Sequence, residues 1–354
     1  MRRFEKLSAV SRQLSARGEV KRVVAGVVGM GVALLGVELG VRVLAPQAVS
    51  ADPPPLLRGM LTDPGDHRVR TDEVDVTVHV NARGFVDREW GAKTGKRVVL
   101  IGDSFVQAAQ VAPGEGVGAV LDEVLDGVEV LSMGVPGAGT ATELGVLERY
   151  ALPMEPDLVV LGFLVANDVL NNHPLLEGKD DKPFYALQGG ELVPVDAVTL
   201  SAGPLWRVSH AWRWIARTGA VRRAAARKLA LGQGMPIDLR VHDPAAGPVW
   251  EEAWAVTDAL VARMASETKL VVVLFPDRVQ ATGRSDWPAA EGWDFARAQD
   301  RALAMAKAHA PVLDLLPTFR GHGEDFLAKD GHWTASGHRR AAEAMASFVR
   351  EALP

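Results

Sequence analysis

The 354-residue chain contains no cysteine. That excludes a thiolate nucleophile, disulfide bridges, and every zinc or iron–sulfur site that needs Cys ligands. Positive charge is not in excess either. The nominal net charge is −5, which excludes the basic footprint of a nucleic-acid binder. Aromatic residues make up only 6%, and only two of them are Tyr against ten Phe and nine Trp. Internal repeats and low-complexity tracts are absent. What is present is 48% hydrophobic and 23% charged residues, an ordinary globular balance with enough apolar material for a large core.

The charge is unevenly placed. Residues 1–22 hold seven Arg and Lys against Glu5 and Glu19, a net of +5, which leaves −10 for the remainder. Fifteen uncharged residues follow, Val23 to Val37, and the apolar character continues through Glu38 and Arg42 to Ala45. The 23 residues from Val23 to Ala45 are long enough to cross a bilayer. Glu38 and Arg42, four apart, face each other on a helix and can pair near the membrane surface. A basic flank before such a run predicts a cytoplasmic tail (1–22), a transmembrane signal anchor (23–45) and an exported body. A cleaved signal peptide, with Ala48, Ser50 and Ala51 near the cut, and a buried core helix are the competing readings.

Residues 46–92 open with the Pro-rich "PQAVSADPPPLLRG", a stiff linker, and continue to "VDVTVHV" (74–80), which alternates as a half-exposed strand, and the turn "NARGF". From 93 onward, apolar runs alternate with helical stretches. The runs are 97–102, 128–134, 157–165, 269–276 and 311–316. The helices lie in "GVGAVLDEVLDG", 140–152, 250–268, "WDFARAQDRALAMAKAHA" and a C-terminal stretch capped by Thr334 or Ser336. Continuous β-branched and Leu runs between helices predict strands covered on both faces. The fold class is therefore α/β, a three-layer α/β/α sandwich with a mainly parallel central sheet, plus one N-terminal transmembrane helix.

Loops at the strand ends of such a sheet point to one ligand rim. There stand "GDSF", "GVPGAG", "VAND" and the loop before "DGHW". Serine needs a base to take its proton and donors to hold an oxyanion. Ser104, in the turn after the first run, is the candidate nucleophile, and its own N–H would be free at a helix start. Gly137 lets a substrate oxygen approach a backbone N–H. Asn167 supplies a side-chain N–H. His332 can act as general base, and Asp330, two residues earlier, can fix its tautomer if the chain is extended there. Blander roles apply beside these: Ser104 as a helix cap, Asp103 as the brace of its turn, Gly137 as a turn glycine, Asn167 in an Asx turn, Asp168 as a cap, and His338 as a packing or capping residue. A metal site from Asp330, His332 and His322 lacks any standard spacing.

The four blocks, "GDSF", "SMGVPGAGT", "VANDVL" and "KDGHWTASGH", resemble the SGNH (GDSL-type) hydrolase family, as found in membrane-anchored bacterial members. The resemblance covers roughly 95–175 and 268–354. It implies Ser104 as nucleophile, His332 and Asp330 as its partners, and Ser104, Gly137 and Asn167 as the oxyanion hole, with no cofactor and no metal. Ser132 stands where the family's second block has Asn, Ala166 where the third has Gly, and Asp330-Gly331-His332 replaces Asp-x-x-His. The Gly-x-Ser-x-Gly elbow of α/β-hydrolases is missing.

Within the hydrolase-like region 93–354, residues 173–248 break the rhythm and read as a lid-like insertion. "FYALQGGELVPV" predicts a hairpin. The following Trp206, Trp212, Trp214 and Ile215, mixed with Arg207, Arg213, Arg217, Arg222, Arg223, Arg227 and Lys228, predict one or two helices. Lid core with solvated arginines, a basic face on anionic lipid, and a sugar-stacking surface are its three readings. The function expected is a serine esterase acting on an acyl ester, O-acetyl included, of an extracytoplasmic glycan, lipid or small molecule. An O-acyltransferase acting on envelope polysaccharide with the same residues, and a non-catalytic glycan-binding envelope protein, are the alternatives. Neither nucleic acid nor a defined oligomeric partner is implied.

Overall fold

Five runs of Val, Leu and Ile make the centre of the protein. The computed structural model describes residues 24–46, 60–177, 182–195, 208–217, 238–244 and 247–354. In it the runs become β1 (Lys96–Gly102), β2 (Val128–Gly134), β3 (Leu158–Leu164), β4 (Leu270–Phe275) and β5 (Val312–Asp314). All neighbours pair in parallel, in the order β2-β1-β3-β4-β5. Every residue of β3 and β4 is buried, as expected of strands covered on both faces. Alternate side chains enter opposite cores. Val99, Ile101, Val159, Leu161, Val272 and Leu274 face one. Val98, Leu100, Leu158, Val160, Val271 and Val273 face the other.

The helices follow in chain order: α1 (Ser104–Gln107), α2 (Val117–Val124), α3 (Thr140–Val146), α4 (Val165–Leu170), α5 (Pro248–Glu267), α6 (Ala296–Lys307) and α7 (Ala335–Ala352). Leu144 of α3, Leu260 of α5 and Ala302 of α6 fill the first core. Leu121 of α2 and Met345 of α7 fill the second. The result is the three-layer α/β/α sandwich. Arg97, at the start of β1, is buried among them. It donates to Glu129 Oε2 at 2.6 Å, to the Met154 carbonyl at 2.8 Å and to the Gly91 carbonyl at 3.1 Å, so its charge is paired.

Two elements are shorter than the sequence predicts. The helix from Thr140 ends at Val146 and widens into a π turn over Leu147–Ala151, then tightens over Leu152–Met154, where Pro153 has no N–H to continue it. The last strand stops at Asp314, whose carboxylate accepts the Leu316 N–H at 2.9 Å and starts a short helical turn. The strand predicted at 74–80 pairs antiparallel with Gly65–Arg70 in a separate two-stranded sheet. A second hairpin joins Phe184–Gln188 to Glu191–Val195 through Gly189 and Gly190, both at positive φ, as a two-residue turn of this kind requires.

The chain divides into two units, residues 51–201 with 222–354, which carry the sandwich, and residues 1–50 with 202–221. In the second of these, an apolar helix spans Val24–Leu44 with mean hydropathy 2.0. Arg42 pairs with Glu38 at 2.7 Å. The Glu38 carboxylate also caps the helix His210–Arg217, accepting from Ser209 Oγ at 2.7 Å, His210 N–H at 2.8 Å and Ala211 N–H at 2.9 Å. On that helix Arg213 is buried, not solvated as expected, and Trp214 is exposed. The basic tail 1–22, residues 47–59 of the linker, Trp206, Arg207, Arg222, Arg223, Arg227 and Lys228 lie outside the described residues.

Candidate active site

The strand order 2-1-3-4-5 reverses between β1 and β3, and a parallel sheet opens its ligand crevice at that point. Ser104 leaves the end of β1 and Asn167 lies just past β3. Ser104 is presented by a turn that only small residues permit. A Cβ on Gly134 would stand 2.0 Å from the Gln107 nitrogen, and one on Gly102 would stand 2.4 Å from Val106 Cγ2. These glycines let α1 rest directly on the sheet edge. Asp103 caps that helix, accepting the Phe105 N–H at 2.9 Å. As first residue of α1, Ser104 has an N–H without an intrahelical acceptor.

Ser104 Oγ lies 2.7 Å from Nε2 of His332. On the other side of the ring, Nδ1 meets Asp330 Oδ1 in a short hydrogen bond. With the Nδ1 proton donated to that carboxylate, Nε2 is left as the acceptor for the Ser104 hydroxyl. The extended chain anticipated at 330–332 is not what brings Asp330 onto the ring. Gly331 sits at φ +84, and the loop closes through Gly331 N–H to the Leu327 carbonyl at 3.1 Å and Leu327 N–H to the His332 carbonyl at 2.8 Å. A turn with glycine in the left-handed region folds two side chains, two apart, onto one side. Phe105 packs against the His332 ring, with centroids 4.9 Å apart.

Gly137 follows β2 with φ +65. Its carbonyl accepts Asn171 Nδ2 at 2.9 Å and also the Lys182 ammonium, which is paired with Glu177 at 2.8 Å and buried. That peptide is therefore held from its carbonyl side. Asn167 donates one amide N–H to Asp103 Oδ2 at 2.8 Å. An amide has two N–H groups, so the second is left for another acceptor. Burial pushes the Asp103 carboxyl up from its ordinary value, while the Phe105 N–H, the Asn167 amide and the nearby His332 pull it back. Asp103 thus braces the turn, as anticipated, and also orients Asn167. Asp168 is not the cap residue of α4, which is Leu164; it lies inside the first turn and reaches back to accept the Leu164 N–H at 2.6 Å.

The other candidates fall elsewhere. His338 is fully buried and its Nδ1 accepts the Val117 N–H at 3.2 Å, at the start of α2. The trio of Asp330, His332 and His322 is not brought together: His322 is grouped with Glu324 and Asp325. Asp325 is engaged by Ser336 and by Arg340, and His322 pairs with Glu324 at 2.8 Å. Ser132, in place of an Asn, donates Oγ–H to the Val106 carbonyl at 3.2 Å, and its N–H goes to Asp87 at 2.8 Å, so it ties α1 to β2.

Residues 240–354 match the profile of a family described as SGNH hydrolase-like domain, acetyltransferase AlgX. Over that stretch, about a third of its length, the chain is similar to this SGNH hydrolase-like family. Similar solved structures include the acetyl xylan esterase AlAXEase, with 15% identity over 72% of this chain and 99% of that one at a TM-score of 0.42. Others are an acetylxylan esterase, Axe2, from Geobacillus stearothermophilus (14% identity, 74% and 96% coverage, TM-score 0.40) and the lipase/acylhydrolase from Enterococcus faecalis (19%, 73% and 97%, 0.38). Curated protein sequences offer no match. Of the blocks that resemble the SGNH family in the sequence, the first and last meet through Ser104 and His332, and the first and third through Asp103 and Asn167. Sequence reasoning missed Phe105, Trp333, Asn171, Lys182 and Glu143. Of these, only Glu143 carried a signal, an acid inside the otherwise uncharged run 134–147.

Proposed function

We propose that this protein is a serine enzyme of acyl-ester chemistry of the SGNH type, anchored by Val24–Leu44 with the sandwich on the outer side of the membrane. The observation that carries the reading is the relay of Ser104 Oγ, His332 and Asp330, with 2.7 Å between hydroxyl and imidazole. Ser104 Oγ attacks the acyl carbonyl and gives its proton to His332 Nε2. Asp330 stabilises the imidazolium that forms. The tetrahedral oxyanion is held by the N–H groups of Ser104 and Gly137 and by the free N–H of Asn167. His332 then passes its proton to the leaving alcohol, and an acyl-Ser104 ester remains. Water, deprotonated by His332, attacks that ester and releases the acid. No step calls for a cofactor or metal.

The His332 and Asp330 side chains keep 27% and 40% of their surface exposed, which suits an acyl group carried on a bulky alcohol such as an envelope glycan. A second reading has a sugar hydroxyl replace water in the last step, and the match of residues 240–354 to an acetyltransferase profile favours keeping it. In both, residues 1–22 form a cytoplasmic tail, 23–45 the anchor, 46–92 the linker with its hairpin, and 93–354 the catalytic region with the 173–248 insertion.

A fluorophosphonate probe tests the chemistry. Labelling of the wild type at Ser104, lost in Ser104→Ala, supports it; an unlabelled wild type sinks it and leaves glycan binding without catalysis. An activated acetyl ester supplied with and without an oligosaccharide acceptor then separates release of free acetate from transfer.

A further inference from the structure

Glu143 lies in the first turn of α3, and its side chain is completely buried. Among the described residues, no N–H or O–H donates to either of its oxygens. An ionised carboxylate in that position would have lost its water and gained no donor in exchange. The group within hydrogen-bond reach is another acid, Asp168, equally buried. Two carboxylates in contact away from water do not both ionise; they share a proton.

The surroundings decide which carboxyl holds it. Asp168 is supplied with donors, the Leu164 N–H at 2.6 Å and the Thr140 hydroxyl at 3.5 Å. Glu143 has none, so the proton belongs there and Asp168 accepts from it. Burial, Asp168 and the third buried acid, Asp103, all push the Glu143 carboxyl well above the usual range. Asp168 is raised by burial and by Asp103, and the hydrogen bond from Glu143 draws it back down. The pair sits behind the rim, where Asp168 closes the turn that carries Asn167.

We infer that Glu143 is a neutral carboxylic acid at neutral pH which donates Oε–H to Asp168, and that this pair is a positioning element for the Asn167 turn. The first half is independent of any catalytic role; the link to Asn167 rests on the reading above.

Infrared spectroscopy in D2O tests the protonation directly, because a protonated carboxyl absorbs apart from carboxylates. The wild type is expected to show a protonated-carboxyl band at neutral pH that Glu143→Gln lacks. Identical spectra in that region would overturn the proposal. Glu143→Gln keeps a donor to Asp168, whereas Glu143→Leu keeps only bulk. Hydrogen exchange of the Leu164 amide is therefore expected to stay slow in Glu143→Gln and to speed up at least tenfold in Glu143→Leu. Equal protection in both variants would remove the positioning role, and this readout needs no activity. If the wild type is active, kcat falls about tenfold or more in Glu143→Leu, with KM nearly unchanged, since misplacing an oxyanion donor acts on the transition state. It recovers in Glu143→Gln. An inactive wild type that still shows the carboxyl band and the exchange difference would leave the pair standing and reject the esterase reading alone.

Discussion

Phe105 and Trp333 meet edge to face with ring centroids 5.0 Å apart, and each directly follows one member of the Ser104–His332 pair. Trp333 is fully buried, stacks on Phe319 at 5.0 Å and leans on Phe275 at 4.7 Å. The two loops, 228 residues apart in sequence, are thereby locked to one another through the second core. Aromatic packing sets the distance between hydroxyl and imidazole.

Trp333→Ala removes that lock. A truncated buried Trp costs about 3–5 kcal/mol. The expected result is a lower denaturation midpoint together with loss of fluorophosphonate labelling at Ser104. Trp333→Phe should keep most of both. Full labelling in the alanine variant would show that the pair aligns without the aromatic contact.

Asp330 is partly exposed, so its replacement should leave stability nearly unchanged and act on the chemistry. Asp330→Asn keeps the shape but no longer favours the Nδ1–H tautomer, and a loss of roughly 10⁴-fold in kcat is the scale for such a change. Steady-state hydrolysis of an activated acetyl ester measures it. A loss of less than tenfold would mean that His332 does not depend on Asp330.

Gly134 bears on backbone. Because an added Cβ would stand 2.0 Å from the Gln107 nitrogen, Gly134→Ala must displace α1. Overpacking of this kind costs about 1–3 kcal/mol. The variant is expected to fold with reduced stability and to react with the probe much more slowly than the wild type. A wild-type labelling rate would show that α1 does not set the reactivity of Ser104.

His338 makes the fold sensitive to acid. Burial and the nearby His332 lower its pKa from 6.5 to about 3. Between those values the unfolded chain binds the proton and the folded chain does not, so stability rises with pH across that window. The contribution is complete above about 6.5 and is lost as pH falls toward about 3, where up to ~5 kcal/mol has gone. Urea midpoints measured across this range should climb with pH in the wild type and climb less in His338→Asn. Equal slopes would remove His338 as the cause.

The absence of cysteine offers a clean test of topology. Trp287 is 40% exposed on the sandwich unit, and Trp287→Cys creates a single thiol. With the proposed anchor, a membrane-impermeant maleimide should label it in intact spheroplasts. Labelling only after lysis would place the sandwich in the cytoplasm.

Much of this architecture was legible in the residues. Val- and Leu-rich runs between amphipathic stretches have one stable arrangement, a parallel sheet covered on both faces. That arrangement sends "GDSF", "VAND" and "DGHW" to the same rim, so Ser104, Asn167 and His332 could be paired on the page. The competing roles of Ser104 were reconciled by geometry: Asp103 caps α1, so the serine side chain is free to face His332. Tertiary structure decided the rest, because those contacts depend on space and backbone angle and not on spacing along the chain. Gly331 at positive φ folds Asp330 onto the imidazole where an extended chain had been anticipated. Burial turned Glu143 from one acid among many into a carboxyl with no donor but a proton of its own. The order of apolar and polar residues determined which layers form, since burial of apolar surface is non-directional and needs only a pattern. The placement of individual polar groups was decided by directional hydrogen bonds that exist only once the layers have closed.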